Sequence, residues 1–138
     1  MTMKRIHTIG YGNRKLNDFI SILKNYGISI LVDVRRYPRS KNPEYNREEL
    51  ERELLKHGIR YIFMGEQLGG FRRGYQKYMK TKAYKDGIEA LLKLTKEGNA
   101  ALMCLELKPE HCHRRYICET LENMGVEIVH ITTKPSPK

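Results

Sequence analysis

The sequence predicts a single three-layer α/β domain built on a mostly parallel sheet of five strands. An amphipathic stretch, a single glycine and a short apolar run follow one another four times along the chain. Residues 30–32 and 100–103 are continuous apolar runs, which are typical of strands covered on both faces. Strands that alternate with helices form parallel sheets with helices on both sides. The predicted class is therefore Rossmann-like, with one domain over residues 1–132 and a frayed tail at 133–138.

Each predicted strand is a short segment that opens the chain or follows a helix. The five strands are residues 4–9, 29–34, 60–64, 100–105 and 127–131. Glycine is favoured just past a helix because it adopts the left-handed conformation without a Cβ clash. We therefore expect the helices to end at the four joints that carry Gly27, Gly58, Gly98 and Gly125.

Helical periodicity marks the segments between these strands. The first helix shows the spacing i, i+3, i+4, i+7 at Leu16, Phe19, Ile20 and Leu23, which places these residues on one face. Residues 88–95 and 117–124 repeat this spacing. The second helix has a weaker apolar pattern, but Asn46 and Glu49 have the spacing of a capping box at its start.

Length, charge and cysteine content limit the classes of protein to which the chain can belong. The chain has 138 residues, enough for one hydrophobic core, and a formal net charge of +10. No apolar run approaches the roughly 20 residues of a membrane helix, and residues 1–10 lack the apolar segment of a signal peptide. We therefore expect a cytoplasmic protein without a membrane partner. Three cysteines are too few for a secreted disulfide framework and are expected to be thiols.

Polar, glycine-rich and sulfur-bearing residues follow the predicted strands. In an open α/β sheet, ligands bind outside the carboxyl ends of the strands. A strand order of 3-2-1-4-5 would bring the ends of the first and fourth strands together. The expected ligand-binding residues are Asn13, Arg14, Asp33, Arg35, Arg36, Arg72, Arg73 and Arg114. The expected catalytic residues are Glu106, Cys112 and His113.

Positive charge is concentrated in two segments that follow strands. Residues 35–47 carry a net charge of +4 and residues 65–85 a net charge of +5, together +9 of the total of +10. This concentration favours an anion-binding face. In the long connection 65–81, basic residues interleave with Phe71, Tyr75 and Tyr78. Such interleaving suits base stacking and phosphate contact, or else the tyrosines pack onto the body of the domain.

Four short motifs occur together and in order. They are Thr8-Ile9-Gly10 with Asn13-Arg14, Leu31 to Arg35 with Pro38, Leu68-Gly69-Gly70, and Cys104-x-Glu106-x5-Cys112-His113-Arg114. With this combination the chain resembles the domain-of-unknown-function family numbered 488 over roughly residues 5–131. Tyr11-Gly12 departs from the His-Ser that family members often have, so no base or nucleophile is transferred there. The resemblance implies an α/β domain and the same residues, and it names no reaction.

Zinc binding and thiol chemistry are two possible uses of the sulfur and imidazole groups. The potential zinc ligands are Cys104, His111, Cys112, His113 and Cys118. Their spacing lacks the paired short loops of a tetrahedral site, so no metal is predicted. Cys112 stands near the start of the fourth helix beside two arginines, which would favour a thiolate. Neither Cys104 nor Cys112 begins the Cys-x5-Arg loop of phosphatase-like enzymes.

An anion cradle is the third possible use, and it is the leading one. The same helix start, with His113 and Arg114, makes a natural phosphate site. Asp33 either completes this site or acts as a structural partner of an arginine, and Glu106 is either a general base or simply solvated. We expect binding of a phosphate-bearing small molecule, nucleotide or nucleic acid, with hydrolysis or transfer left open and the cofactor unknown. The alternatives are a non-catalytic nucleic-acid-binding module and a thiol enzyme that uses Cys112.

Overall fold

The predicted fold class is confirmed. In the computed structural model, which describes residues 4–70, 74–107 and 112–132, five parallel strands form one sheet with helices on both faces. The strands are β1 (Arg5–Gly10), β2 (Ile30–Asp33), β3 (Arg60–Phe63), β4 (Ala100–Cys104) and β5 (Glu127–Ile131). Each strand begins and ends within one residue of its predicted position. The tail predicted at 133–138 lies outside the described residues.

Helices occupy the connections between the strands. The described helices are α1 (Leu16–Asn25), a 3-10 helix (Pro43–Tyr45), α2 (Arg47–Lys56), α3 (Gly65–Leu68), α4 (Tyr75–Tyr78), α5 (Lys82–Leu94) and α6 (Arg114–Asn123). None of them has the length and apolar character needed to cross a membrane. The long connection 65–81 contains two short helices, and Tyr75 and Tyr78 pack against the core. Its tyrosines thus pack onto the domain body, while Phe71 lies outside the described residues.

Alternation along the buried strands divides the apolar side chains between two cores. Ile30 and Val32 of β2 pack on the side of α5 and α6, whereas Leu31 packs on the side of α1 and α2. In β4, Leu102 and Met103 divide in the same way. Every residue of β2 and β4 is buried, as expected for strands covered on both faces.

The strand order is β3-β2-β4-β1-β5, so the predicted order 3-2-1-4-5 is wrong. β1 and β4 are neighbours as expected, but β4 rather than β1 lies beside β2. The reason is polarity: β4 contains only alanine, leucine, methionine and cysteine and occupies the centre. β1 carries His7 and Thr8 and pairs with the edge strand β5, where Thr8 Oγ1 lies 2.7 Å from Nδ1 of His130.

Two of the predicted helix ends differ from expectation. Gly27, Gly58 and Gly125 have positive φ values as predicted, but Gly98 does not, because α5 already ends at Leu94. The capping box predicted at Asn46 is absent. The Asn46 side chain instead accepts a hydrogen bond from the N–H of Ser40 at 2.8 Å, which orders the loop before α2.

The order in which strands join the sheet changes direction at β4. From β1 the chain adds β2 and β3 toward one edge, and β4 then returns to the position between β2 and β1. β1 and β2 lead to α1 and α2 on one face, whereas β3 and β4 lead to α5 and α6 on the other. Loops that leave neighbouring strands toward opposite faces open a crevice outside their carboxyl ends. Because β4 lies between β2 and β1, this crevice forms next to its last residue, Cys104.

Candidate functional site

A cavity of about 430 Å³ opens at this crevice, a volume within the range of small-molecule sites. Its lining comes from the loops after β1, β2 and β4, the connection between α3 and α4, and the start of α6. The described lining residues are Tyr11, Arg35, Arg36, Tyr37, Arg39, Gly70, Cys104, Leu105, Glu106, Cys112 and His113.

A buried ion pair supports one wall of the cavity. Asp33 is inaccessible to solvent, and its carboxylate accepts hydrogen bonds from Nε and Nη2 of Arg35 at 2.9 and 2.8 Å. It also accepts from the Arg35 N–H at 3.0 Å and from the Tyr61 hydroxyl at 2.5 Å. Burial disfavours the Arg35 charge, but Asp33 outweighs burial and raises the pKa of Arg35. Asp33 is therefore the structural partner of Arg35, whose charge is compensated where it reaches the cavity.

Two further arginines line the cavity without such compensation. Arg36 is partly exposed and Arg39 is exposed, and neither forms an ion pair with another described residue. Glu106 supplies the one carboxylate among the described lining residues. With Arg35 compensated by Asp33, these three side chains leave a net charge of +1 at the cavity.

Two of the three cysteines meet on the cavity wall. Cys104 ends β4 and Cys112 precedes α6, and the structure pairs their Sγ atoms as a disulfide. The expectation that all three cysteines are thiols is therefore wrong for this pair and holds for Cys118. Cys118 is buried within α6.

The His113 ring bridges the β2 loop and Cys112. Nε2 of His113 lies 2.9 Å from the Val34 carbonyl oxygen, and Nδ1 lies 3.6 Å from the Cys112 sulfur. Burial lowers the pKa of His113, so the ring is neutral near pH 7. Because a carbonyl can only accept, Nε2 carries the proton. Nδ1 is then an unprotonated acceptor directed at the Cys112 sulfur.

Arg114 anchors the loop that follows β4. It is 1% exposed, and its Nη2 donates to the carbonyl oxygens of Glu106 at 2.7 Å and Leu107 at 3.1 Å. Backbone carbonyls are among the partners that a buried arginine requires. Arg114 does not line the cavity, so its guanidinium positions the loop that carries Glu106.

Two glycines allow this loop and His113 to approach the sheet closely. A side chain at Gly10 would overlap with the carbonyl of Glu106 and the Cα atom of Leu107. A side chain at Gly70 would press against the His113 ring. Both glycines belong to motifs that the sequence placed after strands, and their physical role is close packing at the cavity.

The cavity gathers some of the predicted site residues and leaves others out. The predicted residues that line it are Arg35, Arg36, Glu106, Cys112 and His113. Asp33 lies behind Arg35, Asn13 is exposed, and Arg14 is buried with its Nε donating to the Gly10 carbonyl. Arg72, Arg73 and His111 lie outside the described residues. Among the residues that are described, no group of three or more His, Cys, Asp or Glu side chains is arranged for a metal ion.

Six lining residues are not among the predicted site residues. They are Tyr11, Tyr37, Arg39, Gly70, Cys104 and Leu105. Five of them end or directly follow strands, and Gly70 lies in the connection that leads on from β3. Position after a strand was therefore the available signal. The contact between Cys104 and Cys112 had no local signal, because eight positions separate the two residues.

Comparison with known proteins assigns a family without a reaction. No curated protein was found that matches the chain. The family model described as a domain of unknown function, DUF488, matches residues 15–121. This range contains β2, β3, β4 and every described cavity residue except Tyr11. Because the match covers more than half of the chain, the chain belongs to the DUF488 family.

Proposed function

We propose that the cavity binds a small phosphate-bearing ligand of the nucleotide class. The observation that carries the proposal is the pair Arg36 and Arg39, which line the cavity without an ion-pair partner among the described residues. Guanidinium groups bind phosphate oxygens through forked, charge-assisted hydrogen bonds. Arg35 contributes shape more than charge, since the Asp33 carboxylate already compensates its guanidinium.

The non-basic lining supports a ligand with a planar or apolar part. Tyr37 is 66% exposed and Leu105 is 50% exposed at the cavity. An exposed tyrosine beside arginines offers a stacking surface for a base next to a phosphate site. Tyr11, which is 2% exposed, closes the cavity through its hydroxyl, which accepts from Nη1 of Arg35 at 3.4 Å.

A small ligand is favoured over a nucleic-acid strand. Tyr75 is buried and Tyr78 packs on the core, so neither provides the stacking surface that the basic segment 65–85 would need. The remaining features, a bounded volume and two arginines, match a single nucleotide. Glu106 lines the same cavity and is the group that would transfer a proton if binding is accompanied by hydrolysis.

The test is a titration of the full chain with nucleoside monophosphates and, in parallel, with the matching nucleosides. We expect nucleotides to shift heteronuclear NMR signals of the lining residues at concentrations where nucleosides do not. Arg36→Gln and Arg39→Gln should each weaken binding about tenfold or more, because a hydrogen bond to a charged group contributes about 1.5–3 kcal/mol.

The matched control removes two charges elsewhere. Lys93, in the last turn of α5, and Lys96, just after this helix, are exposed near the start of β4, at the opposite edge of the sheet. Lys93→Gln with Lys96→Gln should leave nucleotide affinity unchanged at equal ionic strength. Equal losses in both sets of variants, or equal binding of nucleosides and nucleotides, would contradict a phosphate site. Strong binding of a single-stranded oligonucleotide without mononucleotide binding would favour the nucleic-acid module instead.

A further inference from the structure

We propose that Cys112, Cys104 and His113 form a thiol–disulfide exchange centre that reduces small anionic disulfides in the cavity. The proposal goes beyond ligand binding, since it assigns a reaction to a second set of lining residues. In it, Cys112 is the attacking thiolate, His113 accepts its proton, and Cys104 is the resolving thiol.

The first observation is the meeting of two sulfurs from separate elements. Cys104 is the last residue of the central strand, and Cys112 lies immediately before the N-cap of α6. Their Sγ atoms are in contact, and both residues line the cavity. The two cysteines are buried, with exposed fractions of 4% and 9%, and they border the core on the side of α5 and α6. Because both also line the cavity, a substrate sulfur can reach the pair from that side.

The second observation is the environment of Cys112. Its sulfur accepts a hydrogen bond from the N–H of Arg114 at 3.4 Å, at the start of a helix of ten residues. Helix N-termini and neighbouring arginine charge both stabilise a thiolate. Nδ1 of His113, which is unprotonated because Nε2 donates to the Val34 carbonyl, lies 3.6 Å from the same sulfur. Cys112 therefore has both an acceptor for its proton and donors for its charge.

Cys118 provides an internal contrast. It lies on α6 six residues after Cys112 and is 3% exposed. Burial raises the pKa of the Cys118 thiol to about 12, so it remains protonated near neutral pH. It does not line the cavity. The chain thus carries a cavity thiol pair and a buried thiol that should not react.

The reaction balances as two successive exchanges. Cys112 gives its proton to Nδ1 of His113, and its thiolate attacks one sulfur of a disulfide RSSR. The bond between the two substrate sulfurs breaks, a mixed disulfide forms on Cys112, and the leaving RS⁻ takes the proton from His113. Cys104 then attacks the Cys112 sulfur, and the second RS⁻ leaves with the Cys104 proton. The chain loses two electrons and becomes a disulfide, while RSSR becomes two RSH.

The substrate class follows from the charge of the lining. Arg36 and Arg39 lie at the same cavity as the two sulfurs, and Glu106 supplies the one carboxylate among the described lining residues. A disulfide that carries carboxylate or phosphate groups is therefore attracted, whereas a cationic disulfide is not. An external dithiol restores the reduced chain by the reverse exchange.

The experiment follows thiol release from dithiobis(nitrobenzoate), a dianionic disulfide, on the reduced full chain. In a Cys118→Ser background we expect two equivalents of thionitrobenzoate per chain. Cys104→Ser should release one equivalent and retain the adduct on Cys112 by intact mass spectrometry. Cys112→Ser should slow the first release about 100-fold, because the thiolate is the nucleophile and its local stabilisation is lost.

His113→Gln separates proton transfer from folding. The glutamine amide keeps a donor that can reach the Val34 carbonyl, but it removes the acceptor that faces the sulfur. We expect the first release to slow about tenfold near neutral pH and to recover as rising pH ionises the thiol directly. A merely structural role for His113 would leave this pH profile unchanged.

Three outcomes would overturn the proposal. They are an unchanged rate in Cys112→Ser, two equivalents released by Cys104→Ser, and a preference for the dianionic probe over cystamine, a dicationic disulfide, that stays the same when Arg36→Gln and Arg39→Gln are combined. Nucleotide binding is titrated separately on the same samples. Thiol release without nucleotide binding would support the exchange centre and contradict the proposed nucleotide site, and the reverse result would do the opposite.

Discussion

Replacing Asp33 by asparagine tests whether the buried ion pair holds the site together. The carboxylate has no exposure and accepts four hydrogen bonds, three of them from Arg35 and one from Tyr61. Asparagine offers one acceptor oxygen, and its amide would direct a donor at another donor. Arg35 would then keep a 6% exposed charge without its counter-ion. Breaking a buried pair from one side costs about 3–5 kcal/mol.

The expected loss is large relative to the free energy of unfolding of a typical single domain. Single domains unfold with about 5–15 kcal/mol, so Asp33→Asn should remove a large part of the free energy of unfolding. The assay is urea denaturation followed by far-UV circular dichroism. A loss of 4 kcal/mol with a slope of about 2 kcal/mol per molar corresponds to a midpoint shift of about 2 M.

Tyr61→Phe is the matched control for this prediction. It removes one donor to Asp33 and leaves the ion pair with Arg35 intact, so we expect a smaller loss of about 1.5–3 kcal/mol. A loss below about 1 kcal/mol for Asp33→Asn, or equal losses for the two variants, would refute the reasoning. In either case the pair with Arg35 would not be what stabilises the end of β2.

Three further predictions concern the loop after β4 and the buried histidine. Gly10→Ala should cost about 1–3 kcal/mol of unfolding free energy in urea denaturation, because the methyl group overlaps with the Glu106 carbonyl. Arg114→Gln should speed limited proteolysis between β4 and α6, since the Nη2 bonds to Glu106 and Leu107 are lost. The same resistance to the protease as in the wild type would contradict this role of Arg114. Stability should fall as pH drops below 6.5, the ordinary pKa of histidine, because burial lowers the pKa of His113 and the unfolded state binds the proton first. His113→Gln should reduce that slope in urea midpoints measured across pH, whereas an unchanged slope would contradict it.

Local patterns located the elements because helix and strand formation depends on nearby residues. The strands fall within one residue of their predicted bounds, and Gly27 and Gly58 end helices with positive φ as expected. The motifs after strands also indicated the correct edge of the sheet. Arg35, Glu106 and Cys112 line the cavity there, because parallel strands deliver their carboxyl ends to one side.

Local patterns failed where one residue could take either of two roles. Asn46 has the spacing of a helix cap, yet its side chain accepts from Ser40. Arg114 has the position of a phosphate ligand, yet it donates to carbonyls of the loop after β4. Tyr75 has the context of a stacking surface, yet it is buried in the core. In each case the residue suits both roles chemically, and the sequence alone does not show which role is the more stable one.

By itself, the sequence determined the α/β class, the strand bounds and the concentration of positive charge in segments after strands. The tertiary structure decided that β4 lies between β2 and β1, and this order created the cavity beside Cys104. It also decided that Cys104 meets Cys112 and that Asp33 compensates Arg35 rather than Arg114. The physical reason is that periodicity and turn chemistry act over a few residues. Strand order and side-chain pairing instead depend on how the whole chain buries its most apolar strand and satisfies its buried charges.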